Sequence, residues 1–165
     1  RVSFLAGLPV QTLSEIAQQL PLTEGVEVLF PALKTLGYKT AIISGGFSYF
    51  GNFLKAKLGV DYVYANELSI IDGKLTGEVV RPVVDAQAKA DILSELAGKE
   101  GIAMEQTIAV GDGANDIEML AAAGLGIAYH AKAIVRDSSD HAISQLGLDS
   151  ILFLLGISDR EHDNH

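Results

Sequence analysis

Residues 107–116 read T-I-A-V-G-D-G-A-N-D. A run of buried-strand character passes straight into two glycines, an asparagine and two aspartates. A capped helix explains part of this: Asn115 can serve as N-cap of the segment I-E-M-L-A-A-A, with Glu118 three residues on as its capping-box partner. It does not explain Asp112, which precedes that cap, or the glycines on both sides of it.

Working outward, apolar strands and amphipathic helices alternate. V-E-V-L-F-P-A-L-K-T-L-G predicts a helix stopped at Gly37, Y-K-T-A-I-I-S a strand closed by S-G-G, and F-S-Y-F-G-N-F-L-K-A-K-L-G a second helix. The strand Y-V-Y-A follows. L-S-I-I-D-G-K-L-T-G reads as a hairpin, because Asp72-Gly73 supplies the two positive-φ positions of a type I′ turn. A helix is predicted over Ala86–Ala97 with Asp85 as its N-cap, and the strand L-G-I-A-Y follows the helix after Asn115. This alternation predicts an α/β fold: a doubly wound parallel sheet with helices on both faces, its ligands at the carboxyl ends of the strands. Before it, residues 1–21 read as two short helical pieces broken at Gly7 and Pro9.

The 165 residues suffice for one such domain. Net charge is −9 and the basic residues are scattered, which argues against nucleic acid and anionic membrane as partners. An acidic protein that binds an anion must do so through local groups and a metal. The absence of cysteine excludes disulfides and thiolate chemistry and fits a reducing cytoplasm. No apolar run approaches the ~18 residues that would span a bilayer. The tail S-D-R-E-H-D-N-H reads as solvated rather than as a metal site built on His162 and His165.

Three clusters carry chemistry. G-D-G-A-N-D fails as a dinucleotide fingerprint, since a carboxylate stands where the third glycine belongs. Its acids suit a hard cation instead; Mg²⁺ takes few protein carboxylates and bridges to phosphate oxygens, so Asp112 is a plausible ligand. Ser44-Gly45-Gly46 is a plain turn on its own, but before a helix its N–H groups and hydroxyl can form an anion site. Lys89 shares a helical stripe with Ile92, Leu93 and Leu96. It either snorkels from the first turn or meets an anion, for which Asp116 or a bound phosphate would serve. A metal ligand, an anion nest, a cation and an amide are the set phosphoryl transfer requires.

With R-V-S-F-L-A-G-L, I-I-S-G-G-F, I-D-G-K-L-T-G, V-V-D-A-Q-A-K-A and A-V-G-D-G-A-N-D-I-E-M-L-A-A-A-G-L-G-I-A-Y-H-A-K, the chain resembles the phosphoserine phosphatases of the haloacid dehalogenase superfamily. The resemblance implies a Rossmann-like core over residues 22–157, with residues 1–21 a remnant of a helical cap and residues 158–165 a loose tail. It implies that Ser44, Gly45, Lys89 and Asn115 hold the phosphate, that Asp112 binds Mg²⁺ and that Asp116 orients Lys89. Arg1 would grip the substrate carboxylate, although read alone a first-residue arginine is a frayed surface charge. Catalysis would rest on Lys89 and Asp116 together with two aspartates of a D-x-D-x-T motif that residues 1–165 lack.

That motif's strand is central in the family, so the chain looks like the C-terminal part of a larger protein. The strands ending at Ser44 and Gly111 are expected not to pair directly with each other, and residues 1–165 alone are expected to be inactive. The implied reaction is hydrolysis of O-phospho-L-serine to L-serine and phosphate through an aspartyl-phosphate. The alternatives are a related phosphatase for another small phosphomonoester, or a non-catalytic phosphate-binding domain. A homodimer is compatible with the sequence.

Overall fold

The computed structural model describes residues 25–80, 83–137 and 139–143, together with Gly7, Pro9 and Gln11. Arg1, most of residues 1–21 and all of residues 158–165 lie outside them. The chain divides into two compact units, one reaching to Val83 and joined by the C-terminal residues from Ile151, the other running from Val84 to Ser150.

In the first unit, helix α1 (Val26–Thr35) is followed by strand β1 (Ala41–Phe47), helix α2 (Ser48–Leu58), and strands β2 (Tyr62–Ile71) and β3 (Lys74–Val80), the sheet order being β1-β2-β3. Helix α1 ends as its glycine predicts. Gly37 sits at φ +87°, its N–H donates to the Lys34 carbonyl at 3.1 Å and the Tyr38 N–H to the Leu33 carbonyl at 2.9 Å. These are the two bonds of a Schellman motif, which satisfies carbonyls the helix end would otherwise orphan.

The predicted hairpin is present. Asp72 and Gly73 have φ of 52° and 73°, and Ile71 pairs with Lys74 across the turn. The strand Y-V-Y-A and the first hairpin arm prove to be one strand, β2. Its first half pairs parallel to β1 and its second half antiparallel to β3.

The structure also corrects the boundary of β1. The sequence closes this strand at Ile43, whereas Ser44, Gly45 and Gly46 remain extended within it. The ladder breaks there, because Ile43 pairs with Tyr64 and Phe47 with Asn66. Three residues of β1 thus face one of β2, which is a bulge rather than a turn.

In the second unit, helix α3 (Ala86–Lys99) precedes strand β4 (Ile108–Gly111), helix α4 (Ile117–Ala122), strand β5 (Leu125–Tyr129), helix α5 (Ala133–Asp137) and strand β6 (His141–Ile143). The sheet is parallel throughout, in the order β4-β5-β6. Asp85 caps α3 as expected, its carboxylate accepting the Ala88 N–H at 2.8 Å. Central β5 is buried from Gly126 to Tyr129, as befits a parallel strand covered on both faces. Leu93, Leu96, Met119, Leu120, Ile127 and Val135 supply much of the core.

In the two ladders, Ala41–Ile43 pair with Tyr62–Tyr64, and Ile108–Val110 with Leu125–Ile127.

A Gly37→Ala substitution tests the C-cap of α1. A Cβ at residue 37 would find nothing within 4 Å, so its cost comes from φ alone. Urea denaturation should show a loss of about 1–2 kcal/mol; an unchanged midpoint would contradict the left-handed cap.

Candidate active site

The second unit organises its polar residues around one ion pair. Lys89, four residues past the cap of α3, shares a buried face with Leu93, Leu96 and Ala97, and Ile92 beside them is half-buried. Its Nζ lies 2.6 Å from Asp116 Oδ1, with only 6% and 9% of the two side chains exposed. The lysine therefore does not snorkel. Its ammonium is neutralised inside the fold, which burial requires.

The other oxygen of Asp116 holds the loop. Oδ2 accepts the backbone N–H groups of Asp112 and Gly113, each at 3.2 Å. The Asp116 N–H in turn donates to the Gly113 carbonyl at 3.0 Å, closing a 3₁₀ turn over Ala114–Asp116. One carboxylate thus joins α3, the end of β4 and the turn leading into α4.

This arrangement explains both glycines. A Cβ at residue 111 would come within 2.6 Å of the Asp116 Cβ and 2.8 Å of its carboxylate, and a Cβ at residue 113 within 2.7 Å of Asn115 Oδ1. The two glycines make room for the aspartate and asparagine of their own loop. The capping role expected of Asn115 is not observed. Helix α4 starts one residue later, with Asp116 at the N-cap position and no side-chain cap bond, because the 3₁₀ turn precedes the helix and takes up Asn115.

What remains is a set of unused polar atoms. Asp112 and Asn115 are exposed, and among the described residues neither side chain has a hydrogen-bond partner. Lys89 has three donors, of which Asp116 takes one; among the described residues no other partner meets its ammonium.

Ser44 and Gly45 belong to the first unit, on the bulge of β1. The Gly45 carbonyl accepts a bond of 2.8 Å from Asn66 Nδ2 of β2, and Asn66 is only 6% exposed. Sequence reasoning did not single out Asn66. It falls between the strand Y-V-Y-A and the hairpin, so no local pattern marks it. Arg1 lies outside the described residues.

The family model for haloacid dehalogenase-like hydrolases matches residues 2–124. The chain belongs to the haloacid dehalogenase-like hydrolase family. Within it, the chain is 50% identical over 157 residues to a phosphoserine phosphatase of Archaeoglobus fulgidus, covering 93% of this chain and 46% of that protein. It is 46% identical over 152 residues to a phosphoserine phosphatase of Methanocaldococcus jannaschii, covering 92% of this chain and 72% of that one. The crystal structure of a probable phosphoserine phosphatase from Vibrio cholerae, in unliganded form, superposes with a TM-score of 0.90 at 44% identity, over 99% of this chain and 51% of that chain. The chain thus spans less than half of the Archaeoglobus protein and about half of the Vibrio one. The α/β fold expected from the sequence, a Rossmann-like parallel sheet with helices, is the family's. Among the described residues no helix is long and apolar enough to cross a membrane.

The ion pair makes Lys89 a structural residue as well as a candidate ligand. Lys89→Met leaves Asp116 buried without its counter-charge and should cost about 3–5 kcal/mol. Adding Asp116→Asn should recover part of that, so the double-mutant cycle should show coupling of about 0.5–3 kcal/mol. Strict additivity of the two losses in urea denaturation would contradict the pair.

Proposed function

We propose that this chain is part of a Mg²⁺-dependent phosphoserine phosphatase. The observation that carries this reading is the buried Lys89 ammonium, which has donors to spare after Asp116 is satisfied. A buried cation with unused donors calls for an anionic ligand, and the name the relatives carry, phosphoserine phosphatase, supports a phosphomonoester as that ligand.

In this reading Lys89 donates to the phosphate oxygens and Asp116 fixes its direction. Ser44, Gly45 and Asn115 supply further donors, and Arg1 takes the substrate carboxylate through two parallel bonds. Asp112 would hold the metal. Its carboxylate is exposed and unengaged while its backbone is pinned by Asp116, which suits a cation that takes few protein ligands. Among the described residues no group of three or more His, Asp or Glu side chains could hold a metal. When bound, the metal would neutralise charge on the transferring phosphoryl group.

By the resemblance, one aspartate of D-x-D-x-T would attack phosphorus and break its bond to the serine oxygen, the other would protonate that leaving oxygen, and water would then cleave the aspartyl-phosphate to release phosphate. Lys89 stabilises the same oxygens in both steps. Residues 1–21 as a cap remnant, residues 22–157 as the core and residues 158–165 as a tail, and action in the cytoplasm, belong to this proposal.

Two substitutions in the full-length protein test it. Asp112→Asn keeps shape but removes the charge a hard cation prefers, so Mg²⁺-dependent turnover should collapse with little change in urea midpoint. Arg1→Ala should lower the rate on O-phospho-L-serine and spare phosphomonoesters that lack a carboxylate. Equal effects of Arg1→Ala on every substrate would favour a phosphatase for another small phosphomonoester.

A further inference from the structure

The S-G-G stretch poses a problem that the β1–β2 ladder cannot solve alone. Between the paired residues Ile43 and Phe47 the first strand carries Ser44, Gly45 and Gly46, while between Tyr64 and Asn66 the second carries only Ala65. Backbone that leaves a ladder inside a fold must find other partners. The Gly45 carbonyl finds the Asn66 carboxamide, at 2.8 Å and from a residue only 6% exposed.

We infer that Asn66 is a positioning residue for the phosphate-binding segment: its buried amide sets the peptide plane between Gly45 and Gly46 and so fixes where the Gly46 N–H, the donor that follows Gly45 in this bulge, points. The inference rests on the reading of Ser44 and Gly45 as phosphate-binding. The physical link is the trans peptide, in which a C=O and the following N–H point in opposite directions within one plane. Drawing the Gly45 carbonyl toward Asn66 directs the Gly46 N–H away from it.

Glycine makes the restraint necessary. A bulge containing two glycines has more accessible backbone conformations than any other pair would give, so it holds one only if something external selects it. An asparagine suits the task because its Nδ2 donates at a length the neighbouring backbone cannot reach across the broken register. An aspartate of the same shape would present an acceptor to an acceptor.

The test uses the full-length protein with Mg²⁺ and reads inhibition by inorganic phosphate beside the urea midpoint. Asn66→Ala and the isosteric Asn66→Asp should each weaken phosphate binding about tenfold or more, the effect of losing one well-placed hydrogen bond. Asn66→Ala, which buries no charge, carries the test should Asn66→Asp fail to fold. Thr40→Val is the control: Thr40 is similarly buried and immediately precedes β1, and its hydroxyl bonds Asp61 Oδ2 at 3.3 Å, away from the bulge. It should lower the urea midpoint and leave phosphate binding unchanged. Ser44→Ala separates the two levels of the argument. If Ser44→Ala weakens phosphate while both Asn66 variants stay within twofold of wild type, the positioning role is wrong and the phosphate reading stands. If Ser44→Ala has no effect, the phosphate reading falls and takes the inference with it. Equal weakening by Thr40→Val at a matched midpoint would reduce Asn66 to general stability and also overturn the inference.

Discussion

The geometry of the second unit depends on how one buried carboxylate divides its two oxygens. Asp116 gives Oδ1 to Lys89 and Oδ2 to the N–H groups of Asp112 and Gly113. The first bond balances its charge and the second shapes the loop. Neither works without the other. An aspartate lacking the lysine would be too costly to bury, and one lacking the backbone donors would leave the turn after β4 unheld. A buried pair of this kind is weak evidence for net stability, since desolvation can exceed the Coulombic gain. Its contribution here is specification. It fixes the direction of a lysine and the path of six residues at once.

That division of labour explains why G-D-G-A-N-D cannot be understood residue by residue. Gly111 and Gly113 are present because other side chains occupy the space a Cβ would need. Asp116 is fully engaged within the protein, while Asp112 and Asn115 keep their polar atoms unused among the described residues. The loop thus contains one acid that builds it, Asp116, and one, Asp112, whose carboxylate no described residue engages.

Much of this was legible in the sequence where a local rule had no competitor. Asp72-Gly73 has one good conformation between two strands, and the hairpin formed there. Asp85 faced no rival for the N-cap of α3, and the stripe through Lys89 followed from helical periodicity. Errors arose where a tertiary bond overrode a local preference. Asn115 is a good N-cap by type, but the Asp116 bonds draw residues 114–116 into a 3₁₀ turn and delay the helix. Ser44-Gly45-Gly46 resembles a strand terminator, but pairing of Phe47 with Asn66 and the Asn66 amide keep it extended. The role of Asn66 was invisible because it depends on a register break on the neighbouring strand, which no single-strand pattern records.

The two clusters answer the same requirement with opposite chemistry, and the difference follows from which backbone group is orphaned. After β4 the exposed groups are donors, the N–H of Asp112 and of Gly113, so the side chain that holds them must accept. A carboxylate does this best, and its burial then demands a cation, which α3 provides. In the bulge of β1 the orphan is an acceptor, the Gly45 carbonyl, so the side chain must donate. A neutral amide suffices, and no counter-charge has to be buried with it. The ion pair is therefore a consequence of the loop's direction rather than an independent choice. A loop that turns its N–H groups inward needs an acid, the acid needs a lysine, and that lysine is left with donors for a ligand. The bulge, which turns a carbonyl inward instead, leaves no cation behind it.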